Sequence, residues 1–364
     1  LVINKPKRIL IAPLDWGLGH TTRCVPIIRY IQSLGHIPVV AGNAVQRSFI
    51  AETFGNIATI HLEGYNIRYS RWNQWAQMGL LSQVPGILKT IRAEHKWLQL
   101  LTGDQKIDGI ISDNRYGLYH PDIPSVILTH QLLLQTGMGA IADRLIQRMH
   151  YKYLEHFDKI WVVDIPGNPN LSGSLAHTEH LPKQAHYIGL LSRLNRLERI
   201  NQNGGRIVVL LSGPEPLRSE LSRLLWKQVK EYNGEVTFIE GSNNAATPDY
   251  IPDHISYNKC VTDKELGPIL AKAGMVICRS GYSTIMDLVA AEKKAILIPT
   301  PGQTEQEYLA RYLHDAGVFY SSRQQGFNLN NALTKAADFP YRLPAFNDYY
   351  DLYQPAVQEW LNTL

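Results

Sequence analysis

One pattern constrains this chain more than any other, and it runs twice. Short apolar runs alternate with longer amphipathic stretches at residues 8–12, 21–34 and 37–41, and the runs recur at 58–62, 109–112, 125–129 and 159–163. Between them, "LSQVPGILKTIRAEHKWLQLL" and "IADRLIQRMHYKYLEHF" place apolar residues at i, i+3, i+4 and i+7, the period of a helix. The alternation stops at 164–184, a stretch rich in Pro, Gly, Asn and Ser that reads as a long loop. It restarts at "RIVVLLS" (206–212), with further runs at 236–240, 275–278 and 295–298 and helical stretches at 263–272, 283–291 and 305–315. Strand–helix–strand alternation predicts a parallel sheet with helices on both faces. The expected fold class is therefore α/β, with two tandem Rossmann-like doubly wound domains facing across a cleft. The expected domains are 1–190 and 191–345. A terminal amphipathic helix over 346–364 either caps the second domain or crosses back to the first.

Composition narrows the class. Of 364 residues, 45% are hydrophobic and 19% charged, ordinary for a globular protein of two domains. A net charge of +4 does not call for a nucleic-acid partner. Three cysteines, with no CxxC, fit a reducing compartment. No signal peptide is recognised and no apolar run reaches the ~18 residues of a membrane span. The expectation is a cytoplasmic protein, peripheral at the inner membrane face if it touches lipid.

In open α/β sheets, ligands lie beyond the carboxyl ends of the strands, so strand-end motifs carry the functional reading. The first strand ends in "GLGHTTR", residues 17–23. Gly17 and Gly19 allow a phosphate or sugar hydroxyl to approach the backbone at a helix N-terminus, and the alternative reading is a strained turn capped by Thr21. The pattern is neither GxGxxG nor a Walker loop. His20 titrates near neutral pH and suits a general base, with Asp113 at the end of the run 109–112 as the reserve. Arg23 is read as a ligand contact or a surface ion pair, and Arg115 as a residue shaping the acceptor site. In the second half, Ser280 and Gly281 form a turn before a helix that opens with Tyr282 and Ser283, and Asp287 follows within it. The run "AILIP" leads to a loop bearing Gln303, Gln306 and Glu307.

The block "CRSGYSTIMDLVAAEKKAILIPTPGQTEQEYLARYL" (277–313) resembles the donor motif of GT-B glycosyltransferases of family 28. The resemblance implies that Asp287 meets the ribose hydroxyls and that Gln306 and Glu307 hold the donor sugar. "GLGHTTR" resembles the first Gly-rich loop of that family. His130 and Gln131 resemble part of its acceptor-side motif, and "GLLSR" carries its interdomain arginine over to Arg193. Ser212 and Gly213 stand in the donor-domain loop, and Val261 in the segment whose backbone reads the nucleobase.

What the resemblance implies is an inverting, metal-independent transfer of a hexose or N-acetylhexosamine from a nucleotide sugar, UDP-linked. The receiver is a hydroxyl acceptor, with a lipid or cell-envelope glycan precursor among the candidates. No DxD occurs, so no metal site and no cofactor are expected, and the histidines of 177–186 lie in a Pro/Asn-rich loop that gives no zinc reading. The stretch 71–91, with Trp72 and Trp75, reads as a core helix or a lipid-docking surface. Rival readings keep the site: a nucleotide-sugar hydrolase of the pseudaminic-acid pathway type, a nucleotide-sugar epimerase, or a non-catalytic donor-binding subunit.

Overall fold

The computed structural model describes residues 5–65, 84–134, 139–194, 205–346 and 349–364, with the side chains of 140–142 excepted. It divides into two compact units, Leu1–Leu191 with Asn347–Leu364, and Ser192–Phe346.

In the first unit the elements run β1 (Arg8–Pro13), α1 (Gly19–Ser33), β2 (Ile37–Gly42), α2 (Ala44–Phe54), β3 (Ala58–His61), α3 (Val84–Asp104), β4 (Gly109–Asp113), β5 (Ser125–Thr129), α4 (Ala140–Leu154), β6 (Lys159–Val162) and β7 (Ala185–Tyr187). The sheet order is β3-β2-β1-β4-β5-β6-β7, and every pair is parallel. Strands β4 and β5 are buried along their whole length, because helices cover both faces of such a sheet. This is why their sequences read as unbroken apolar runs. The chain winds outward from β1 to β3 and then returns to β4, so β1 and β4 flank the point where the strand order reverses. Their register pairs Ile9 with Gly109 and Pro13 with Asp113.

The second unit contains β8 (Arg206–Leu210), α5 (Leu217–Val229), β9 (Val236–Ile239), β10 (Ile255–Asn258), α6 (Asp263–Ala271), β11 (Ala273–Cys278), α7 (Tyr282–Ala290), β12 (Ala295–Leu297), α8 (Thr304–Asp315), β13 (Tyr320–Ser321) and α9 (Leu329–Ala337). Its order, β10-β9-β8-β11-β12-β13, is again parallel and reverses between β8 and β11.

The last helix, α10 (Tyr353–Leu361), belongs to the first unit. Trp360 is fully buried and meets Trp161 edge to face at 5.8 Å, and Tyr30 meets Tyr353 in the same way. The approach is close: at Gly189 (φ +79°) a Cβ would lie 2.0 Å from the Tyr349 carbonyl oxygen, so only glycine fits there.

Several boundaries differ from the sequence reading. Helix α1 starts at Gly19 instead of Thr21, and Thr21 lies inside it without capping. Helices α2 and α9 and strands β7, β10 and β13 were not legible from periodicity. The stretch 164–184 is a loop with one short 3-10 turn at Gly173–Leu175. Buried Asp164 organises it, accepting from the Ile165, Leu171 and Ser172 amides and from His177 Nε2 at 3.3 Å. His177 also stacks on Tyr187. Among the described residues no cluster of His, Cys, Asp or Glu could hold a metal ion, and no helix is long and apolar enough to cross a membrane.

Candidate functional site

The carboxyl ends of β1, β4 and β5 bring four of the sequence-marked side chains together. Past Gly17 (φ +77°) the chain enters α1, and His20 and Arg23 lie one turn apart on it. Asp113 closes β4, and His130 follows β5. His20 Nδ1 is 3.1 Å from Asp113 Oδ2. Arg23 Nε donates to the same oxygen at 2.8 Å, Arg23 Nη2 donates to Oδ1, and Arg23 Nη1 lies 2.8 Å from His130 Nδ1. Asp113 is wholly buried, Arg23 and His130 nearly so, and the His20 side chain keeps 13% of its exposure.

The protonation pattern follows from donor and acceptor chemistry. An ionised carboxylate only accepts, so His20 Nδ1 carries the hydrogen and Nε2 keeps its lone pair. Arginine only donates, so His130 Nδ1 accepts and its hydrogen sits on Nε2. Burial would raise the Asp113 carboxyl, but Arg23 and His20 outweigh it and hold the group well below the usual carboxylate range. For His20, burial lowers the imidazole. Asp113 opposes this, while Arg23 and His130 add to it, and the net direction is down.

Sequence reasoning put Asp113 in reserve as a base. Buried, and engaged through both oxygens, it is placed to orient His20. Arg23 was expected to meet a ligand or sit in a surface pair, and the structure buries it in a bidentate ion pair. Gln131 lies at the rim, its amide bonded to Thr129 Oγ1. Arg115 does not join the group. Asn114 takes a left-handed conformation (φ +55°) and turns Arg115 under β1, where it donates to the carbonyls of Pro13 and Glu63 and pairs with buried Glu94 at 2.8 Å. That role is scaffolding.

A residue that sequence reasoning missed supports the loop before His20. Buried Gln46 reaches through Nε2 to the carbonyls of Pro13 and Leu14 and to Thr21 Oγ1. Its Oε1 accepts from the Asn43 amide, while Asn43 caps α2. The signal was present as "NAVQ", a capping box written with Asn and Gln.

In the second unit the corresponding strand ends carry the other marked residues. Ser212 and Gly213 (φ +105°) follow β8. Val261 precedes Thr262, which caps α6 through Glu265. Buried Ser280 donates to the Gln306 carbonyl at 2.8 Å. Gly281 caps α7, Tyr282 and Ser283 open it, and a Cβ at Gly281 would meet nothing within 4 Å. The helix thus begins at a position with no side chain and open space beside it, and helix N-termini of this kind suit an anion.

Asp287 lies inside α7, nearly buried, and accepts from Ser192 Oγ at 2.7 Å and Arg193 Nε at 3.1 Å. Burial raises its carboxyl, and Arg193 offsets only part of that. Arg193 also pairs with Asp263 at 3.2 Å. On the next loop, Gln303 caps α8, and its Oε1 is buried with no partner among the described residues. Gln306 Oε1 accepts from the Thr300 amide and Glu307 Oε1 from the Gly302 amide. Thus Gln306 and Glu307 shape the loop, and Gln303 presents an unused acceptor.

Arg279 was also missed. It is buried beside Ser280 and donates to the carbonyls of Leu217, Ile298 and Pro299. It joins the ends of β11 and β12 to the start of α5. Burial lowers it to about 10.

Three comparisons bear on this arrangement. Residues 222–346 match the family model described as the glycosyltransferase family 28 C-terminal domain. The UDP-N-acetylglucosamine--N-acetylmuramyl-(pentapeptide) pyrophosphoryl-undecaprenol N-acetylglucosamine transferase of Caldanaerobacter subterraneus subsp. tengcongensis is 30% identical over 119 residues, 30% of this chain and 31% of that protein. The match thus spans about a third of that relative's length. An uncharacterized glycosyltransferase of Methanosarcina acetivorans is 23% identical over 338 residues, 85% of this chain and 82% of that one. The crystal structure of MurG from Acinetobacter baumannii aligns at a TM-score of 0.54 and 13% identity over 99% of both chains, a likeness of fold.

Proposed function

We infer the reaction of this chain, a GT-B glycosyltransferase resembling family 28, from the pair at the end of β4. It moves a hexose or N-acetylhexosamine from a UDP-linked sugar to a hydroxyl acceptor, with inversion at the anomeric carbon and no metal step. The observation that carries this reading is the 3.1 Å contact of His20 Nδ1 with buried, ion-paired Asp113. That contact fixes the tautomer in which Nε2 can take a proton.

The acceptor hydroxyl gives its proton to His20 Nε2. The oxygen's electron pair forms the new bond to the anomeric carbon as the bond to the phosphate oxygen breaks. The nucleoside diphosphate leaves with that pair of electrons. A single displacement of this kind inverts the centre. The leaving charge is met by the N-terminus of α7 at Gly281, where main-chain donors are preorganised, with Arg193 as the nearby cation. Asp287, whose oxygens each retain a second lone pair, is the candidate for the ribose hydroxyls.

The Caldanaerobacter relative is named for a UDP-sugar donor and an undecaprenol-linked acceptor, and we carry both over as part of the proposal. Helix α4 supports contact with an anionic membrane surface. Exposed Arg144, Arg148 and Lys152 run beside Leu145 and Met149, which are 61% and 36% exposed, the pattern of an interfacial helix. The sequence candidate for that contact, 71–91, lies mostly outside the described residues.

A thermal-shift panel tests the donor. UDP and UDP-sugars raise the melting temperature, because a ligand bound only by the native state stabilises it. Adenosine and thymidine counterparts do so less. His20→Ala lowers kcat by ~10²–10⁴ and leaves the donor-induced shift intact. The reading is lost if no nucleotide shifts the transition or if His20→Ala keeps its kcat. Free sugar released at the full rate without acceptor would turn the assignment to the hydrolase.

A further inference from the structure

We propose that Arg23 is a positioning residue for the base: it clamps Asp113 so that the carboxylate serves His20 as a fixed acceptor. The inference rests on the reading of His20 given above but adds a residue whose guanidinium the structure turns inward onto Asp113.

The geometry carries it. Arg23 is 1% exposed and places two donors on Asp113, one on each oxygen, while its third nitrogen reaches His130. Planar, bidentate pairing fixes the plane of a carboxylate. Once the plane is fixed, Oδ2 lies 3.1 Å from His20 Nδ1. Without Arg23, the wholly buried carboxylate is left, among the described residues, to the His20 imidazole and the Cys24 thiol, and it would rotate, draw a proton onto the imidazole and hold it as an ion pair. Arg23 therefore does two things at once. It keeps Asp113 ionised, and it claims enough of that charge to leave His20 unprotonated.

The charged and titratable groups facing His20 come from three places. Arg23 and Cys24 lie on α1 itself, Asp113 on β4, and His130 after β5, with Tyr116 beyond Asp113. Of these, Arg23 is the permanent cation.

The test reads His20 directly. In the full chain, the imidazole titration of His20 is followed by NMR in the wild type, Arg23→Met and Arg23→Lys. Removing a cation from beside an Asp–His pair raises the His20 midpoint by about 1–3 pH units, and the acid limb of the kcat profile moves up with it. Lysine restores the charge without the fork, so its midpoint stays near the wild type while kcat falls about tenfold or more. A purely structural arginine would lower the yield and melting temperature of Arg23→Met and leave the midpoint where it was. An unmoved midpoint in folded Arg23→Met overturns the proposal. Should Arg23→Met fail to fold, Arg23→Lys decides: wild-type kcat overturns the clamp, and reduced kcat at an unchanged midpoint supports it. Because the midpoint is read without turnover, it stands apart from the base assignment, which His20→Ala tests separately.

Discussion

Gln46→Ala removes a side chain that touches no reacting group, yet its effect on turnover is predictable. Gln46 is 1% exposed and bonds four partners: the Asn43 amide, Thr21 Oγ1 and the carbonyls of Pro13 and Leu14. These losses are unequal. Pro13 O keeps the Arg115 Nε donor at 2.9 Å, whereas Leu14 O, among the described residues, keeps none. A buried acceptor left unsatisfied costs about 1–3 kcal/mol, and the lost capping arm about 0.5–1.5 kcal/mol, so the variant is destabilised by roughly 2–4 kcal/mol. For a unit of this size that lowers its transition by roughly 5–15 °C.

The kinetic consequence follows from place. Leu14 opens the loop that ends at His20, and a displacement near 1 Å at the reacting groups costs up to ~10² in kcat. The charges around His20 are untouched, so the acid limb of the pH profile stays where it is. Calorimetry and a saturating-donor assay measure both effects. Gln46→Glu separates the arms, because a carboxylate can still accept from Asn43 but cannot donate to Leu14. A Gln46→Ala enzyme with wild-type melting temperature and kcat would refute the reasoning, because the orphaned carbonyl would then carry no cost.

Two further outcomes are expected. His150 is buried against Tyr116 at 3.1 Å, and burial pushes it down to about 4. The unfolded chain then binds a proton near pH 6.5 that the folded one refuses until about 4. Folded stability therefore falls by up to about 3 kcal/mol as pH drops from 6.5 to 4, so the urea midpoint of the wild type should drop more between pH 7 and pH 4 than that of His150→Phe, and equal drops would refute the assignment. Gly281→Ala costs the fold no more than about 1 kcal/mol as an N-cap change, since its Cβ meets nothing within 4 Å and φ is an ordinary −72°, while the donor KM rises about tenfold or more. A large loss of melting temperature with unchanged KM would mean that the bare backbone serves packing.

The central strands were legible because strands buried on both faces must be apolar throughout, and 109–112 and 125–129 could be little else, whereas the partly buried β7, β10 and β13 lack that signature. Helix α2 was not, because its apolar residues line no continuous stripe and its identity rests on the Asn43–Gln46 box. The rule that strand ends face ligands marked His20, Asp113, Ser280 and Gly281, and the structure places all four at or just past strand ends. Arg115, two residues beyond Asp113, turns under β1 instead, because left-handed Asn114 reverses the direction in which the next side chain points. No periodicity encodes one residue in a rare conformation.

The same rule could not say how charge is used. Arg23 is held by a carboxylate ninety positions away, Arg193 by Asp287 and Asp263, and Arg279 by three carbonyls, two just past β12 and one at the start of α5. Each stands near a strand end, where sequence alone suggests a phosphate contact. A buried guanidinium draws most of its hydrogen bonds from the protein itself before any ligand arrives. In this chain Arg23 and Arg279 hold the scaffold, and Arg193 is shared between two carboxylates. His20, with Nε2 left to accept, Gly281, with nothing within 4 Å of a Cβ, and Gln303, with Oε1 unpartnered among the described residues, are therefore the ones whose substitution should change binding or turnover with the least change in stability.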